Sequence, residues 1–367
     1  MELRFRKPHF PMNILFLTRK VDSDDDAASF VSDWIREFSA QLAGGKLIVI
    51  CQEMGRVPAL GENVEFYSLG KERGYGKVKQ LLLFQKYLLL NIRRVQGVFA
   101  HMIQHYSLMA GPWCFLFRKR LFQWYVHKDV NTLLRLSTLF VDGFVSASQE
   151  SFRLRTKRPV HIFGHAINID QFIPLKVADA GSSSPKILTV GRISPVKNID
   201  KMLAAIPYLI EKPVFENVCF QIIGSPGLPS QREYLERVQQ WVHEMSFDHF
   251  VSFLGPMPHR DTIFYYQHAD IFINLSETGS LDKVVLEAMS CGTIVVTSNE
   301  AFRSIVPSEL FLDSTDSKYV TKKIDEIYKL SADSRKHLGQ QLRQIVVKNH
   351  SLKHTVGSIL ALYRDKR

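Results

Sequence analysis

The stretch "ADIFINLSETGSLDKVVLEAMSCGTIVVTS", residues 269–298, has two short apolar, β-branched runs on either side of a helical pattern. It predicts a strand over 269–276, a helix over 281–291 and a second strand over 293–298. Two strands joined through a helix form a βαβ unit, in which the strands are parallel. The stretch therefore predicts an α/β fold built on a parallel sheet.

Glu287 is the anomaly in that helix, because it stands in an apolar run where a charge is costly to bury. An i,i+4 pair with Lys283 on a solvated face would account for it and stabilise the helix by about 0.3 kcal/mol. The alternative is a carboxylate that accepts hydrogen bonds from two hydroxyls, as a ribose diol offers. We favour the second, because the flanking residues leave little polar face.

The same alternation of strands and helices runs through the rest of the 367 residues. Strands are also predicted at 12–18, 46–52, 97–102, 122–127, 143–148, 186–192, 218–225 and 249–255, and helices at 27–43, 76–95, 198–209 and 231–245. The stretch 177–185 is small and polar, which is typical of a linker. We therefore expect a first domain over 1–176 and a second over 186–350.

Glycines and basic residues follow the predicted strands of the second domain where those strands end. Gly191 and Arg192 end the strand 186–192, Lys197 follows them, and Gly224 lies at the end of the next strand. A guanidinium and an ammonium together suit an anion with several oxygens, and glycine lets the backbone approach a ligand closely. Each loop alone is weak, since a basic loop residue is usually solvated.

The loop "SETGSLDK" (276–283) precedes the helix of Glu287, with Ser280 or Asp282 as its N-cap. A helix N-terminus offers N–H groups and the positive end of its dipole to a phosphate. Ligands of parallel α/β sheets bind at the carboxyl ends of the strands, often between domains. The strand-end loops together therefore predict a diphosphate site.

The formal charge of +11 is concentrated in residues 71–135, which hold 12 basic and 2 acidic residues. Within this basic patch, Lys79, Lys86 and Arg93 share one stripe of the helix 76–95, and 111–126 interleaves aromatic with basic residues. This combination is typical of an anionic membrane surface. A core-packed helix with a solvated basic face is the alternative. Nucleic acid is not expected, because no binding motif accompanies the charge.

The four cysteines lie far apart without a CxxC pair, which indicates core residues in a reducing compartment and no zinc site. The first apolar run is too short for a signal peptide, and no run is long enough to span a membrane. We expect a cytoplasmic protein, with peripheral attachment to the inner face of the cell membrane as the consequence of the basic patch.

The segments "VGRISPVKNID", "IIGSPG", "VSFLGPMP" and "LEAMSCGTIVVTS" have the order and spacing of retaining glycosyltransferase family 4, the glycosyl transferases group 1. The chain resembles that family over 186–300, and one of its subgroups through "WYVHKDV", "SASQESFRL" and "GHAINIDQF" in the first domain. The resemblance implies the GT-B fold, with two Rossmann-like doubly wound domains facing a central cleft that holds a nucleotide-sugar. The last helix, 351–367, is expected to pack back on the first domain.

The resemblance also implies roles for individual residues. Arg192 and Lys197 would hold the diphosphate beside Gly191 and Gly224, and Glu287 would bind the ribose hydroxyls. Backbone amides around Ser280, Leu281 and Asp282 would support the phosphates, and Lys283 would also belong to the nucleotide-sugar site. His127, at the end of the strand 122–127, matches the histidine that reaches the donor sugar, although a strand-end histidine with a backbone partner is the alternative.

Two departures from the family pattern stand out. The family has E-x7-E, but Gly279 stands eight residues before Glu287, so either a nearby carboxylate substitutes or main-chain amides serve instead. The glycine-rich turn after the first strand is replaced by the acidic loop "VDSDDDAA" (21–28). We expect its carboxylates to bind acceptor hydroxyls, at Asp22, Asp24 or Asp25. An acid-rich helix start is the alternative.

The expected activity is transfer of a sugar from a UDP-, GDP- or ADP-sugar to an acceptor hydroxyl, with retention and electrostatic stabilisation of the leaving diphosphate. The acceptor would be a saccharide or a lipid-linked sugar of cell-surface polysaccharide or glycolipid synthesis. No metal or other cofactor is expected. Two alternatives stay open: a GT-B nucleotide-sugar epimerase, and a catalytically silent protein that binds nucleotide-sugar or nucleic acid.

Overall fold

The computed structural model describes residues 11–25, 29–42, 44–57, 59–175 and 184–364. The chain forms two compact units: residues up to Ala166 together with those from Leu352 onward, and Ile167–Ser351. Residues 177–183 of the predicted linker lie outside the described part of the chain. The units divide at Ala166 because the segment that follows is anchored in the second unit, where the carbonyl of Phe172 accepts hydrogen bonds from Ser290 and Arg343.

The first unit is built on a seven-stranded sheet in which every strand pair is parallel. Its strands are β1 (Ile14–Val21), β2 (Leu47–Met54), β3 (Val64–Ser68), β4 (Gly97–His101), β5 (Arg120–Trp124), β6 (Gly143–Ser146) and β7 (Val160–Ile162). Its first helices are α1 (Phe30–Gln41), α2 (Lys77–Ile92), α3 (Gln104–Leu116) and α4 (Thr132–Ser137). The strand order is β3-β2-β1-β4-β5-β6-β7.

The second unit has a five-stranded parallel sheet in the order β10-β9-β8-β11-β12. Its strands are β8 (Lys186–Val190), β9 (Cys219–Ile223), β10 (Val251–Gly255), β11 (Ile271–Asn274) and β12 (Ile294–Thr297). Its helices are α5 (Ile199–Leu203), α6 (Ile206–Ile210), α7 (Pro229–Glu244), α8 (Thr262–His268), α9 (Lys283–Ser290), α10 (Ser317–Tyr328) and α11 (Ala332–Asn349). The predicted α/β fold with doubly wound sheets is confirmed.

In both sheets the strand order reverses beside the first strand, between β1 and β4 and between β8 and β11. The loops that leave two such neighbouring strands diverge to opposite faces of the sheet, which opens a crevice at their carboxyl ends. The sheet order thus selects the loops after β8 and β11, and those after β1 and β4, as the places where a ligand can bind.

Two predicted elements were wrong in part. The helix 198–209 is two short helices, α5 and α6, because Pro207 stands in the first turn of α6 and has no N–H for the helical hydrogen bond. The strand 122–127 ends at Trp124, where its pairing with the four-residue β6 runs out. The edge strands β3 and β7 were not predicted; both are short, and none of their residues is fully buried.

The last helix, α12 (Leu352–Arg364), belongs to the first unit. The hydroxyl of Tyr363 donates to the carbonyl of Val98 at 2.7 Å, and Thr355 Oγ1 donates to the carbonyl of Phe163 at 2.7 Å. Its buried side chains are Leu352, Thr355, Val356, Ile359, Leu360 and Tyr363. In sequence, the chain thus returns to the first unit after the whole of the second unit. No helix among the described residues combines the length and apolar character that crossing a membrane requires.

Candidate functional site

Two glycines bring the backbone loops after β8 and β9 into close contact. Gly191 donates from its amide to the carbonyl of Ile223 at 2.9 Å. A Cβ at Gly224 would lie 1.9 Å from the carbonyl oxygen of Gly191, and the φ angles of 141° and 139° at Gly191 and Gly224 disfavour any side chain. The two loops therefore present bare backbone at the carboxyl edge of the sheet.

Arg192 follows Gly191 in the loop after β8. The side chain is exposed, and among the described residues no carboxylate forms an ion pair with it. Its aliphatic part lies beside Gly227, where a Cβ would meet the Arg192 Cδ at 3.2 Å. The arginine is thus supported along its stem by the loop after β9, while its donor fork is available for a ligand.

Lys197 ends a short 3₁₀ helix, Pro195–Lys197, that follows the arginine loop. Asn198, with a left-handed φ of 50°, comes next and ties this loop to the loop after β11. Its Nδ2 donates to the carbonyl of Leu275 and to Glu277 Oε1, each at 2.9 Å. Lys197 Nζ lies 2.9 Å from Asp282 Oδ2 and 3.3 Å from Ser276 Oγ. The ammonium is therefore fixed at the crevice between β8 and β11.

Asp282 is the half-buried counter-charge of that lysine. It occupies the N-cap position of α9, but its side chain makes no capping hydrogen bond, so the predicted side-chain cap is not formed. Its carboxylate instead accepts hydrogen bonds from three polar side chains besides Lys197: Asn274 Nδ2 at 3.0 Å, Thr278 Oγ1 at 3.3 Å and Asn299 Nδ2 at 3.3 Å. Burial would raise the pKa of Asp282, but the charge of Lys197 overcomes it and the pKa lies below its ordinary value.

The residues before α9 form the loop that follows the carboxyl end of β11. The carbonyl of Ser280 accepts a hydrogen bond from Asn299 Nδ2 at 2.9 Å, and Leu281 is buried at 4% exposure. Gly279 has a left-handed φ of 62°, which suits glycine and not the glutamate of the family pattern. Lys283 is the first residue of α9.

Glu287 lies in a second, buried cluster of the same helix. Its carboxylate is 2% exposed; Oε1 accepts from His259 Nε2 at 2.6 Å, and Oε2 accepts from the Tyr266 hydroxyl at 3.1 Å. Lys283 Nζ lies 3.6 Å from Oε1, so the i,i+4 contact also forms. Burial would raise the pKa of Glu287, but His259 and Lys283 lower it to about 2. Protein donors thus occupy both oxygens of Glu287. Its contact with ribose hydroxyls stays a prediction.

His127 belongs to the first unit and lies beyond the end of β5, where it forms an isolated parallel bridge with Phe152. Its side chain is exposed and its ring centroid lies 5.6 Å from that of Tyr125. The backbone bridge agrees with the alternative of a histidine with a backbone partner. Its exposure leaves the imidazole accessible, so the role toward a donor sugar stays a prediction.

The acidic loop follows β1, at the switch point of the first sheet. Its carboxylates hold basic side chains: Lys20 Nζ lies 3.2 Å from Asp22 and 2.6 Å from Asp25, and Arg56 lies 3.3 Å from Asp24. Hydrogen bonding to Asp25 raises the pKa of Lys20 above its ordinary value. Within the described part of the chain, no three His, Cys, Asp or Glu side chains come together as a metal site would need.

Several residues of both clusters were not predicted from the sequence. They are Asn198, Asn274, Ser276, Thr278 and Asn299 around Asp282, and His259 and Tyr266 around Glu287. Asn274 and Asn299 could have been found, because each stands at or just after the carboxyl end of a predicted strand. The partners of Glu287 come from α8 and from the loop before it, which no local pattern indicates.

Solved structures that also contain two such units identify the fold. The crystal structure of Anabaena HepE in complex with UDP superposes with a TM-score of 0.73 over 96% of this chain and 99% of that chain, at 15% identity. Two Rossmann-like units with parallel sheets, in a likeness of this extent, define the GT-B fold of glycosyltransferases. At this identity the likeness shows the fold alone.

Residues 176–345 match the family model described as glycosyl transferases group 1. The matched range lies within the second unit and includes its strand-end site. Spore coat protein SA of Bacillus subtilis is 27% identical over 191 residues, which cover 49% of each chain. D-inositol 3-phosphate glycosyltransferase of Corynebacterium efficiens is 31% identical over 109 residues, which cover 30% of this chain and 25% of the relative. The chain thus spans half or less of these curated relatives.

Proposed function

We propose that the chain is a retaining glycosyltransferase of family 4, which transfers a sugar from a nucleotide-diphosphate donor to an acceptor hydroxyl. The observation that carries the proposal is the strand-end site between β8 and β11. It combines the bare backbone at Gly191 and Gly224, the accessible guanidinium of Arg192 and the fixed ammonium of Lys197. HepE of Anabaena, which shares the fold, has been crystallised with UDP and with UDP-glucose.

The charges at this site suit the chemistry of a departing diphosphate. When the bond between sugar and diphosphate breaks, negative charge accumulates on the phosphate oxygens. Arg192 can bind two of these oxygens through its fork, and Lys197 adds a point charge whose position Asp282 fixes. The N-terminus of α9 adds its dipole. This stabilisation is present before the reaction, so it lowers the barrier without a protein nucleophile. The departing diphosphate can then take up the proton of the attacking hydroxyl.

The first unit supplies the remaining part of the proposal. His127 has an exposed imidazole that can contact the donor sugar, and the acidic loop with Asp22, Asp24 and Asp25 can contact acceptor hydroxyls. The donor is a UDP-, GDP- or ADP-sugar, and the acceptor is a saccharide or lipid-linked sugar of cell-surface polysaccharide or glycolipid synthesis at the cytoplasmic face. These assignments rest on the sequence resemblance and on the accessibility of the side chains.

The test is calorimetric titration with UDP, GDP and ADP, followed by NMR detection of nucleotide-diphosphate release from the matching sugar donors. We expect one nucleotide to bind, and Arg192→Gln to weaken its binding at least tenfold, because a charge-assisted hydrogen bond contributes about 1.5–3 kcal/mol. Arg237→Gln, which removes an exposed arginine of α7, is the matched control and should bind as the unmodified chain does.

Retention is tested by the anomeric configuration of the product sugar. If Arg192→Gln bound each of the three nucleotides as tightly as the unmodified chain does, that result would contradict the proposed site. Conversion of the donor to its epimer without an acceptor would instead identify an epimerase.

A further inference from the structure

We propose that the first unit carries a docking surface for an anionic phospholipid bilayer, formed by the outward side of α2 and the C-terminal end of α3. The proposal goes beyond sugar transfer, because the surface lies on helices that the strand-end site does not use. It is defined by the apolar residues Val78, Leu82, Leu89, Phe115 and Leu116 and the basic residues Lys79, Lys86 and Arg93, called here the α2–α3 surface.

Helix α2 has two apolar sides, and only one of them packs on the core. Phe84 and Leu88 are fully buried against the sheet. Val78, Leu82 and Leu89, which lie on another side of the helix, are 74%, 65% and 40% exposed. A helix that served only the core would carry polar residues there, since exposed aliphatic side chains gain nothing from water.

The end of α3 continues this apolar surface. Phe115 is 82% exposed and Leu116 is 65% exposed. Two contacts join the helices: Trp113 Nε1 donates to Gln85 Oε1 at 2.7 Å, and the guanidinium of Arg93 stacks on the ring of Phe117 at 5.1 Å. The exposed side chains of both helices therefore belong to one surface and not to scattered positions.

The charged residues of α2 and of the end of α3 are all basic. Lys79, Lys86 and Arg93 are exposed and follow one flank of α2 at seven-residue spacing. No acidic residue occurs in the sequence between Glu72 and Asp129. Basic side chains that flank exposed aliphatic and aromatic ones match the headgroups and the acyl boundary of an anionic bilayer.

A bilayer fits this surface better than a nucleic acid does. Phosphate backbones would use the lysines and arginines, but they offer nothing to Val78, Leu82 and Leu116. A bilayer uses both groups, because the apolar side chains enter the interface while the ammonium and guanidinium groups stay at the level of the headgroups. The aliphatic composition thus selects the lipid surface.

The test is flotation of the full chain with vesicles of phosphatidylcholine, with and without phosphatidylglycerol. We expect binding to the anionic vesicles, which weakens as salt is raised. Leu82→Gln combined with Leu89→Gln should lower the partition at least tenfold, which is ~1.4 kcal/mol. Lys86→Gln combined with Arg93→Gln should lower it about thirtyfold, which is ~2 kcal/mol.

The matched controls are Leu228→Gln, which removes an exposed leucine of the second unit, and Lys322→Gln, which removes an exposed lysine of α10. Both should partition as the unmodified chain does. Absence of binding to anionic vesicles would overturn the proposal, as would equal loss in the controls or preferential binding to RNA that the leucine variants leave intact. Nucleotide titration of the same variants separates this result from the proposed function, which predicts unchanged binding.

Discussion

At the scale of single residues, the site depends on where two carboxylates find their partners. Asp282 and Glu287 stand five positions apart on one helix, yet their partners differ. Asp282 faces the crevice and holds Lys197, whereas Glu287 is enclosed with His259 and Tyr266. Glu287 stands out in the sequence, but in the structure Asp282 is the carboxylate in contact with Lys197, the lysine predicted to bind the diphosphate.

We expect Asp282→Ala to destabilise the second unit by about 2 kcal/mol, because it leaves the half-buried ammonium of Lys197 and the donors of Asn274 without their acceptor. Asp282→Asn keeps the shape of the side chain and should cost less, while both variants should weaken nucleotide binding through a misplaced Lys197. Urea unfolding and nucleotide titration measure the two effects. Asp248→Ala, at an exposed aspartate, is the control; an equal effect in that variant would contradict the assignment.

Glu287 makes stability dependent on pH in a defined window. Its pKa in the folded chain is about 2, below its ordinary value of 4.5. The ionised carboxylate therefore stabilises the fold above about pH 4.5, and this contribution is lost as the pH falls toward 2. We expect Glu287→Gln to be less stable at neutral pH by on the order of 2–3 kcal/mol.

The difference between Glu287→Gln and the unmodified chain should shrink as the pH falls below the ordinary pKa. Urea unfolding in steps from about pH 7 to about pH 3 measures this trend. Glu236→Gln, at an exposed position of α7, supplies the baseline. A difference that stays constant over the whole window would mean that the carboxylate is not held in its ionised form.

At the scale of elements, the strands were the most predictable part of the chain. The runs that became β1, β2, β4, β8, β9 and β11 are mainly apolar and mostly buried, so their local pattern already indicates strands. The ends were harder to predict. β5 ends at Trp124 because the pairing with β6 goes no further. The length of β6, which lies about twenty residues later in the sequence, therefore determines where β5 ends. His127 was therefore placed on a strand that does not reach it.

The contact between the loops after β8 and β9 should tolerate no side chain at Gly224. In Gly224→Ala the Cβ would lie 1.9 Å from the Gly191 carbonyl oxygen, so the strand ends must separate. Gly191→Ala is the matched variant, because its φ of 141° is similar but its Cβ would meet nothing within 4 Å. We expect about 1 kcal/mol of destabilisation from backbone strain alone in Gly191→Ala and at least ~2 kcal/mol in Gly224→Ala.

Thermal unfolding and nucleotide titration of these two alanine variants separate strain from collision. The Gly224 variant should also lose nucleotide affinity, since the bare backbone edge would move. Equal stability and equal nucleotide affinity in Gly191→Ala and Gly224→Ala would contradict this prediction. The close approach of the two loops would then not contribute to the site.

At the scale of the whole molecule, the two doubly wound units follow from strand–helix alternation, which the sequence displays over its full length. Asn274 and Asn299 could be picked out as strand-end residues, but their contacts with Asp282 were not predictable, because they come together with Thr278 only when β11 and β12 lie side by side. The boundary at Ala166 could not be predicted either. The polar stretch after it looks like a linker, but the anchoring of Phe172 by Ser290 and Arg343 requires the folded second unit.

We expect a chain that ends at Ser351 to lose the stability of its first unit, because α12 buries five apolar side chains and a threonine there. Each fully buried apolar side chain contributes roughly 1.5–3 kcal/mol, and the five together are comparable to the whole stability of a typical domain. Hydrogen exchange should show fast exchange in β1, β4 and β5, with β8 to β12 still protected. A chain that ends at Arg364 is the control. Full protection of β4 without α12 would contradict this prediction.

The return of α12 also determines when the first unit can be completed during synthesis. Val98 and Phe163 lie well before the second unit in sequence, yet they receive hydrogen bonds from residues that follow it. At 5–20 residues per second, the ribosome needs about 10–40 s to produce Ile167–Ser351. During that interval the nascent first unit exposes the apolar side that Leu352, Ile359 and Tyr363 will cover, and it is then a substrate for chaperones.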